Sequence, residues 1–553
     1  MLRSALVTSL GIAFGAAVSS CAAAPTAKDE SGSASISETI PAVANTPVPA
    51  HQRNSDWYRD ASEQVAGVRS GAMARNNAGK AKNVVVFLGD GMSITTITAA
   101  RILAGQRAGA SGEENRLSFE EFPVTGLSKT YNVNSQTPDS AGTMSAIVTG
   151  VKTNIGMFGV DEEAVQDDCR SARGRELLSL LEIAELAGKP TGVISTARLT
   201  HATPASTYAK TPSRDWEDDG MMSRAARGQR CKDIARQFIE HREQLNNIYG
   251  EGASDGIEVA MGGGRRHFLP EGTDGGRRKD GRNLIDEWLA NNPDGKYAAN
   301  KAELAAVSGG RVLALFDDSH MDYAAMRENP ENPQPSLPEM TAKALDLLQK
   351  NDEGFFLVVE AGRIDHAHHA GNAANALGET IEMAEAVKVV AERTDPSDTL
   401  ILVTADHSHV FTMAGYPRRG NPILGKVVPA WSDEPMLDEN QLPYTTLGYM
   451  NGRGFRDLGD EPNADATYAS PPDAGRKDIS KIDTTTIGYH QEALVPLNSE
   501  THSGEDVAVY ASGPGAIAAS GVNEQNLLFH VMLQASGWEA QAAARLEALK
   551  NAE

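Results

Sequence analysis

The sequence is poor in cysteine, in basic residues relative to acidic ones, and in long hydrophobic runs. Its 553 residues include only three cysteines. Lys and Arg number 51 against 74 Asp and Glu, for a formal net charge of −23. So acidic a chain is a poor nucleic-acid binder, because neutralising phosphates requires a basic surface. After residue 20 no apolar stretch approaches ~18 residues, so we predict no transmembrane helix in the mature chain.

The remaining composition is that of a globular protein. Hydrophobic residues make up 40% and charged residues 23% of the chain, which excludes a largely disordered or fibrous protein. The length suggests three or four domains at ~150 residues each, although α/β enzymes often form longer single units.

The first 20 residues read as a secretory signal, with a positive Arg3 followed by an apolar stretch. The residues around Cys21 resemble a bacterial lipobox, in which this cysteine becomes the lipidated first residue. We therefore expect an exported protein in the periplasm or an outer-membrane lipoprotein, attached to a membrane only through that lipid. Cleavage near residues 22–24, which would release a soluble and even extracellular protein, is the alternative. Residues 21–55, rich in Ala, Ser, Pro and Thr, are predicted to form a flexible linker.

If Cys21 carries a lipid, Cys169 and Cys231 remain as a pair in an oxidising compartment. Such pairs usually form disulfides, although two separate buried thiols are the alternative.

Short apolar runs alternate with helical stretches along the rest of the chain. The runs lie at residues 83–88, 191–195, 355–359, 399–403 and 507–510. Continuous apolar runs predict strands buried on both faces, and the alternation predicts an α/β fold: a central, mostly parallel sheet flanked by helices on both faces. Residues 412–490, rich in Gly, Pro, Asn and Asp, interrupt the rhythm and are predicted to be an inserted subdomain between the two parts of one domain, 56–411 and 491–553.

Carboxylates and histidines follow four of these strands. The sets are Asp90; His201 and Thr203; Glu360, Asp365 and His369; and Asp406 with His407. A lone Asp in such a place is more often a helix cap, but four sets in one chain indicate metal binding at the carboxyl edge of the sheet. Histidine with carboxylate suits zinc, and oxygen-only sets with a threonine hydroxyl suit magnesium.

Ser140 precedes a stretch of helical character that ends near Gly150. It can be a simple N-cap, or it can be a nucleophile activated by a metal ion at the positive end of a helix. The local pattern leaves both interpretations open.

Six motifs occur in a fixed order: FLGDGM at 87–92, PDS at 138–140, HATP at 201–204, VEAGRIDH at 359–366, TADHSH at 404–409 and ETHSGED at 500–506. In this order they resemble the alkaline phosphatase family, over a region from about residue 56 to 545. The resemblance implies one zinc held by Asp365, His369 and His502, a second zinc held by Asp90, Asp406 and His407, and a magnesium held by Asp90, Thr203 and Glu360. It also implies Ser140 as nucleophile and Arg214 as the group that grips the substrate phosphate with two hydrogen bonds.

Other positions are similar to the mammalian members of that family. His201 and His366 match histidines that lie next to the metal ligands without being ligands themselves. The resemblance implies that His201 reaches the magnesium through a water molecule. His366 has the same kind of place, or it is a simple hydrogen-bonding group. The stretch around Cys169 and Cys231 matches a disulfide. Asp280 aligns with a calcium ligand in the segment 276–283. However, Gln229 stands where a glutamate ligand is expected, and a neutral amide weakens calcium binding. The resemblance therefore leaves open whether the protein binds calcium.

The resemblance also implies a homodimer, with residues 412–490 at the position of the crown subdomain of relatives. The implied reaction is the hydrolysis of phosphate monoesters of broad range through a phosphoserine. One alternative is a phosphodiesterase or sulfatase of the same superfamily. The other is a lipid-anchored surface protein that holds metal without catalysis.

Overall fold

One large β-sheet organises the protein. The computed structural model describes residues 46–73 and 80–552. Within these ranges the strands are β1 (Asn83–Gly89), β2 (Val124–Lys129), β3 (Thr191–Arg198), β4 (Val259–Gly263), β5 (Lys296–Ala298), β6 (Val312–Leu315), β7 (Phe356–Ala361), β8 (Thr399–Ala405), β9 (Ser408–His409), β10 (Phe411–Met413), β11 (Leu447–Gly452), β12 (Arg456–Asp457), β13 (Tyr489–His490), β14 (Ala493–Pro496), β15 (His502–Ser503), β16 (Val507–Ser512) and β17 (Gly521–Glu524).

Ten strands form the sheet in the order β17-β2-β16-β8-β1-β7-β3-β4-β6-β5. Every neighbouring pair is parallel except the two made by β16, which runs antiparallel to β8 and β2. The five predicted strands correspond to β1, β3, β7, β8 and β16. The prediction of a mostly parallel α/β sheet is confirmed.

Helices cover this sheet. In the described ranges they are α1 (Ala50–Asn54), α2 (Asp56–Met73), α3 (Ile94–Arg107), α4 (Ser140–Thr149), α5 (Cys169–Ala172), α6 (Leu180–Leu186), α7 (Ala202–Ala205), α8 (Arg224–Gly228), α9 (Ile234–Ile239), α10 (His241–Tyr249), α11 (Leu284–Asn291), α12 (Lys301–Ala306), α13 (Leu337–Leu348), α14 (Arg363–His369), α15 (Ala373–Arg393), α16 (Leu527–Ser536) and α17 (Trp538–Ala552). Short 3-10 helices lie at Ser118–Glu121, Arg265–His267, Ala464–Ala469 and Ala516–Ala519.

The hydrophobic core lies on both faces of the sheet. Along β1, Val84 and Val86 pack into one cluster with α4, α6 and α16, whereas Val85 and Phe87 pack into a second cluster with α3, α13 and α15. All four side chains are buried. Alternate residues of a strand point to opposite faces, so a strand covered on both sides must be apolar throughout.

The N-terminal part of the folded domain begins earlier than the sequence predicts. The side-chain amide of Gln52 is buried and donates to Thr149 O (2.6 Å) and Leu178 O (3.1 Å), while its carbonyl accepts from Leu178 N–H (2.8 Å). The prediction of a linker through residue 55 is therefore wrong at this end, because polar contacts that composition does not reveal hold α1 to the domain. The predicted signal at 1–20, Cys21 and the rest of the linker through residue 45 lie outside the described residues.

The region predicted as an insertion has little regular structure. Residues 414–446 contain neither a helix nor a strand. A small sheet of β10, β11 and β14 pairs strands that lie on both sides of the predicted boundary at 490. None of the helices in the described ranges combines the length and the apolar character that crossing a bilayer requires.

Candidate metal centre

Four neighbouring strands deliver polar side chains to one edge of the sheet. In sheet order they are β8, β1, β7 and β3. Asp406 directly follows β8, Asp90 directly follows β1, Glu360 lies near the end of β7, and His201 and Thr203 follow β3. These strands are parallel, so their carboxyl ends meet at the same edge, where ligands bind in such sheets.

The first group of ligand-type atoms comes from α14 and β15. Asp365 and His369 lie one turn apart on α14 and therefore face the same side. His502 Nε2 lies 3.1 Å from His369 Nε2 and 3.3 Å from Asp365 Oδ1, and His369 Nε2 lies 3.3 Å from the same oxygen. An ion bound tetrahedrally at about 2.0–2.1 Å spaces its ligand atoms by about 3.3–3.4 Å. The three atoms thus have the spacing of a zinc triad.

Backbone carbonyls fix the protonation of the two histidines in this triad. His369 Nδ1 donates to Glu500 O (2.6 Å), and His502 Nδ1 donates to Pro138 O (2.8 Å). Because a carbonyl can only accept, Nδ1 carries the proton in both rings. Burial lowers the pKa of His369 below its ordinary value, so this ring is neutral and its Nε2 presents a lone pair. Carbonyl hydrogen bonds of this kind orient metal-binding histidines.

The second triad is fully buried. His407 Nε2 lies 3.3 Å from Asp90 Oδ1 and 3.4 Å from Asp406 Oδ2, and all three side chains are inaccessible to solvent. Burial and then the Asp406 carboxylate raise the pKa of Asp90 well above its usual range. Two carboxylates this close in a buried site repel one another, and a divalent cation between them relieves that repulsion.

Ser140 lies beside the second triad. Its Oγ is 3.1 Å from His407 Nε2 and 3.4 Å from Asp90 Oδ1. It is the first residue of α4, and the N-cap is Asp139, whose Oδ1 accepts from Gly142 N–H at 3.1 Å. Because the cap is another residue, the interpretation of Ser140 as a simple N-cap is wrong. Its buried hydroxyl is left facing the ligand-type atoms.

A third set of oxygens has the chemistry of a magnesium site. Asp90 Oδ2, Thr203 Oγ1 and Glu360 Oε1 are buried and make no hydrogen bond of acceptable geometry. Burial raises the pKa of Glu360 to about 8, even though the Ser195 hydroxyl donates to its other oxygen. Each unsatisfied buried oxygen costs about 1–3 kcal/mol. A hard cation that accepts oxygen ligands would satisfy all three at once.

Arg214 is held next to Ser140 by the capping residue of α4. Its Nη1 donates to Asp139 Oδ2 at 2.9 Å, and its Nη2 lies 3.2 Å from His201 Nε2. Asp139 also accepts from Gly156 N–H at 3.0 Å, so one carboxylate caps the helix and positions the arginine. The sequence interpretation did not assign a role to Asp139, although it lies inside the PDS motif.

His201 and His366 lie beside the magnesium-type oxygens with a third histidine that the sequence interpretation missed. The ring centroid of His201 is 5.5 Å from that of His366 and 5.4 Å from that of His320, and the latter two are 3.9 Å apart. Ligand-type atoms of His201, Asp90 and Glu360 lie within 4.8 Å of one another. This separation suits contact through a water molecule. His320 lies outside every recognised motif and gave no signal.

The buried residues His409 and Glu500, to which the sequence interpretation assigned no role, hold Asp365 of the first triad in position. His409 Nε2 lies 2.8 Å from Asp365 Oδ1, and its Nδ1 lies 2.5 Å from Glu500 Oε2. Burial alone lowers the pKa of His409, but Glu500 and Asp365 together raise it to about 10. A protonated ring between two carboxylates orients Asp365. Both residues stand in quoted motifs, TADHSH and ETHSGED, which could have identified them.

The disulfide and the calcium question are resolved away from this centre. Cys169 and Cys231 form a disulfide, with their Cα atoms 6.0 Å apart. Asp280 Oδ2 accepts from Arg278 Nη2 at 2.6 Å, and Arg278 is fully buried. Gln229 contacts the disulfide instead, at 3.6 Å from Cys169 Sγ. An arginine therefore already neutralises Asp280, and these residues do not fit a calcium site.

Comparison with known proteins places this arrangement in a family. A family model described as Alkaline phosphatase matches residues 81–538. The tissue-nonspecific isozyme of alkaline phosphatase from Gallus gallus is 41% identical over 88% of this chain and 91% of its own length. The human isozyme is also 41% identical, over 89% of this chain and 91% of its own length. A protein named membrane-bound alkaline phosphatase, from Bombyx mori, is 40% identical over 90% of this chain and 87% of its own length.

Solved structures show the same fold. The crystal structure of Thermus thermophilus alkaline phosphatase covers 86% of this chain and 97% of its own, with 25% identity and a TM-score of 0.58. Alkaline phosphatase from the Antarctic bacterium TAB5 has 22% identity and a TM-score of 0.54, over 83% of this chain and 99% of its own. Because the family model and relatives of about 40% identity span nearly the whole folded region, the chain belongs to the alkaline phosphatase family.

Proposed function

We propose that this protein hydrolyses phosphate monoesters through a phosphoserine intermediate, at a centre for two zinc ions and one magnesium ion. The observation that carries the proposal is the place of Ser140, whose Oγ lies 3.1 Å from His407 Nε2 and 3.4 Å from Asp90 Oδ1. A hydroxyl beside metal-ligand atoms, at the start of a helix, is suited to attack phosphorus.

Each ion has a set of residues that would hold it. The sets are Asp365, His369 and His502 for the first zinc, Asp90, Asp406 and His407 for the second, and Asp90, Thr203 and Glu360 for magnesium. When bound, such ions lower the pKa of a serine hydroxyl or a water and stabilise the entering and leaving oxygens of an in-line displacement.

The chain itself orients the phosphate. Asp139 holds Arg214 in place before any substrate arrives. Burial lowers the pKa of Arg214, but the Asp139, Asp90 and Asp365 carboxylates together keep it above the ordinary value. Its planar guanidinium can donate to two phosphate oxygens at once. The first N–H groups of α4 and the helix dipole add a positive potential around Ser140. These groups stabilise charge that grows on the equatorial oxygens during transfer.

The two triads differ in their access to solvent. The side chains of His369 and His502 are 24% and 12% exposed, whereas the Asp90 and His407 side chains are fully buried. The nucleophile thus attacks from the closed side, and the leaving group departs towards the first triad. With open solvent around the leaving group, substrates of many shapes fit, which supports broad specificity.

We also infer export, homodimer formation and an anchor at Cys21, with cleavage near residues 22–24 as the alternative. The signal-like first 20 residues support export to the periplasm or outer membrane. Exposed apolar side chains in the inserted region, Trp431 (74%), Leu437 (50%) and Met450 (50%), support a dimer contact there, because a subunit interface buries such groups. Metabolic labelling with palmitate tests the anchor at Cys21, and size-exclusion chromatography tests the homodimer.

The experiment that tests the proposed function compares three substrates that share one aryl leaving group. The phosphate monoester, the phosphodiester and the sulfate are assayed with the purified protein supplied with zinc and magnesium. We expect strong preference for the monoester and an activity that rises towards alkaline pH. A diester or sulfate preference, or an acid-peaked profile, would overturn the assignment.

A second measurement isolates the nucleophile. Ser140→Ala should abolish turnover and the covalent phosphate trapped by acid quenching of a radiolabelled monoester. Ser135→Ala, at a partly exposed serine five residues earlier, is the matched control and should keep both. Unchanged turnover in Ser140→Ala would refute Ser140 as the nucleophile.

A further inference from the structure

A short segment of the inserted region lies near the open side of the first triad. The 3-10 helix Ala464–Ala469 is tied to α14 by Asp465, whose Oδ2 accepts from Arg363 Nη2 at 2.9 Å. The buried Tyr323 hydroxyl donates to the other oxygen of Asp465 at 2.8 Å. Because α14 carries two residues of the first triad, this ion pair fixes the segment relative to the metal centre.

Tyr468, in the same segment, is linked to the first triad through Ser499. Its hydroxyl is 3.3 Å from Ser499 Oγ, and this serine lies 3.5 Å from the backbone carbonyl of His369. The next residue, Glu500, donates its N–H to that carbonyl at 3.0 Å. Ser499 therefore connects the Tyr468 hydroxyl to the backbone of His369, the more exposed histidine of the first triad.

The ring of Tyr468 is both held in place and exposed. The guanidinium of Arg453 lies 4.6 Å from the ring centroid, and Arg453 is itself buried and bound to Asn498 O at 2.6 Å. Even so, 43% of Tyr468 remains exposed. A rigid, partly exposed aromatic ring offers a contact surface at little cost in conformational entropy.

We infer that Tyr468 is a specificity-determining residue that stacks against planar aromatic leaving groups as they depart on the side of the first triad. This inference rests on the proposed function. Arg453 covers one face of the ring. Tyr468 keeps 43% of its surface exposed and adjoins Ser499, which contacts the backbone of His369 in the first triad. Offset stacking of two aromatic rings then favours aryl over small alkyl monoesters.

The test measures kcat/KM for phenyl phosphate and glycerol 2-phosphate, because this ratio includes only steps up to the departure of the leaving group. Tyr468→Ala should lower the value for phenyl phosphate by about three- to tenfold and leave that for glycerol phosphate within about twofold. Tyr468→Phe, which keeps the ring, should behave as the wild type. Tyr416→Ala removes a 74% exposed tyrosine of the same region and should change neither value.

Inhibition supplies a readout that does not depend on turnover. Phenylphosphonate should bind Tyr468→Ala more weakly than the wild type, whereas methylphosphonate should bind both equally. An equal loss for both esters and both phosphonates would mean a structural role, and no loss would mean no contact; either result overturns the inference. Absence of hydrolysis of either ester by the wild type would instead refute the proposed function.

Discussion

A buried glutamate far from the metal centre makes stability depend on pH. Glu185, in α6, is fully buried and accepts hydrogen bonds from Thr191 Oγ1 (2.5 Å), Ser254 Oγ (2.6 Å) and Gly256 N–H (3.1 Å). Burial raises its pKa from 4.5 to about 7, and Asp255 adds to the shift. Thr191 begins β3, so this site lies at the edge of the sheet opposite the proposed active site.

The sign of the effect follows from the raised pKa. A carboxyl whose pKa is higher in the folded state binds its proton more tightly there, so its contribution is fully present below pH 4.5 and is lost as pH rises to about 7. At about 1.4 kcal/mol per pH unit, the loss amounts to roughly 3 kcal/mol.

Glu185→Gln keeps the shape of the side chain and removes the charge. Its unfolding free energy relative to the wild type should therefore rise by roughly 2.5 kcal/mol between pH 5 and 8, on top of a constant loss of about 1 kcal/mol from rearranged hydrogen bonds. Thermal unfolding of both proteins across this range, with saturating metal, measures the difference. The metal contribution is common to both and cancels.

The matched control is Glu251→Gln, which removes an exposed glutamate of the same region and should give a difference that is flat with pH. Turnover of an aryl phosphate should be the same in all three proteins. A Glu185→Gln difference that stays constant, or falls as pH rises, would refute the assignment of a buried, proton-binding carboxyl at this place.

Two further predictions concern the proposed active site. Arg214→Ala removes charge-assisted hydrogen bonds worth about 1.5–3 kcal/mol each, so kcat/KM should fall about 100-fold or more and inhibition by inorganic phosphate should weaken in parallel. The control is Arg224→Ala, at an exposed arginine. A drop in kcat/KM with unchanged phosphate inhibition would argue against phosphate binding by Arg214. Chelation should lower the unfolding temperature, because each ion present at 100 times its Kd adds about 2.7 kcal/mol to the free energy of unfolding. Re-added zinc and magnesium should restore it, and a chelated protein that unfolds at the same temperature as the untreated one would contradict metal binding by the buried carboxylates.

The sequence predicted those parts of the fold that depend on local pattern. Apolar runs identified five strands of the central sheet, because strands covered on both faces must be apolar at every position. The placement of Asp90 and Asp406 after two adjacent strands followed from the rule that parallel strands share a carboxyl edge. The i, i+4 spacing of Asp365 and His369 predicted one face of a helix, and α14 provides it.

Tertiary contacts between distant segments could not be predicted in this way. Gln52 joins the domain through three hydrogen bonds to backbone groups, and its surroundings in sequence resemble a linker. His320 stands beside His366 only because a loop distant in sequence meets α14. Tyr468 lies in an insertion without periodicity, so neither strand nor helix rules placed it. Composition identified the insertion as irregular but could not indicate which side chains reach the metal centre.

The contrast between the two triads connects the chemistry to the range of substrates. The second triad, with Ser140 and Asp90, is buried between α4 and the strand ends, where a low dielectric strengthens every charge interaction at phosphorus. The phosphoryl group is the part that every monoester shares, and a rigid, closed site suits it. The first triad opens to solvent beside a segment of the insertion. Under the proposed function, variation in that insertion changes which leaving groups are preferred without disturbing Ser140. Tyr468 is then a better place than Ser140 to look for differences between related enzymes.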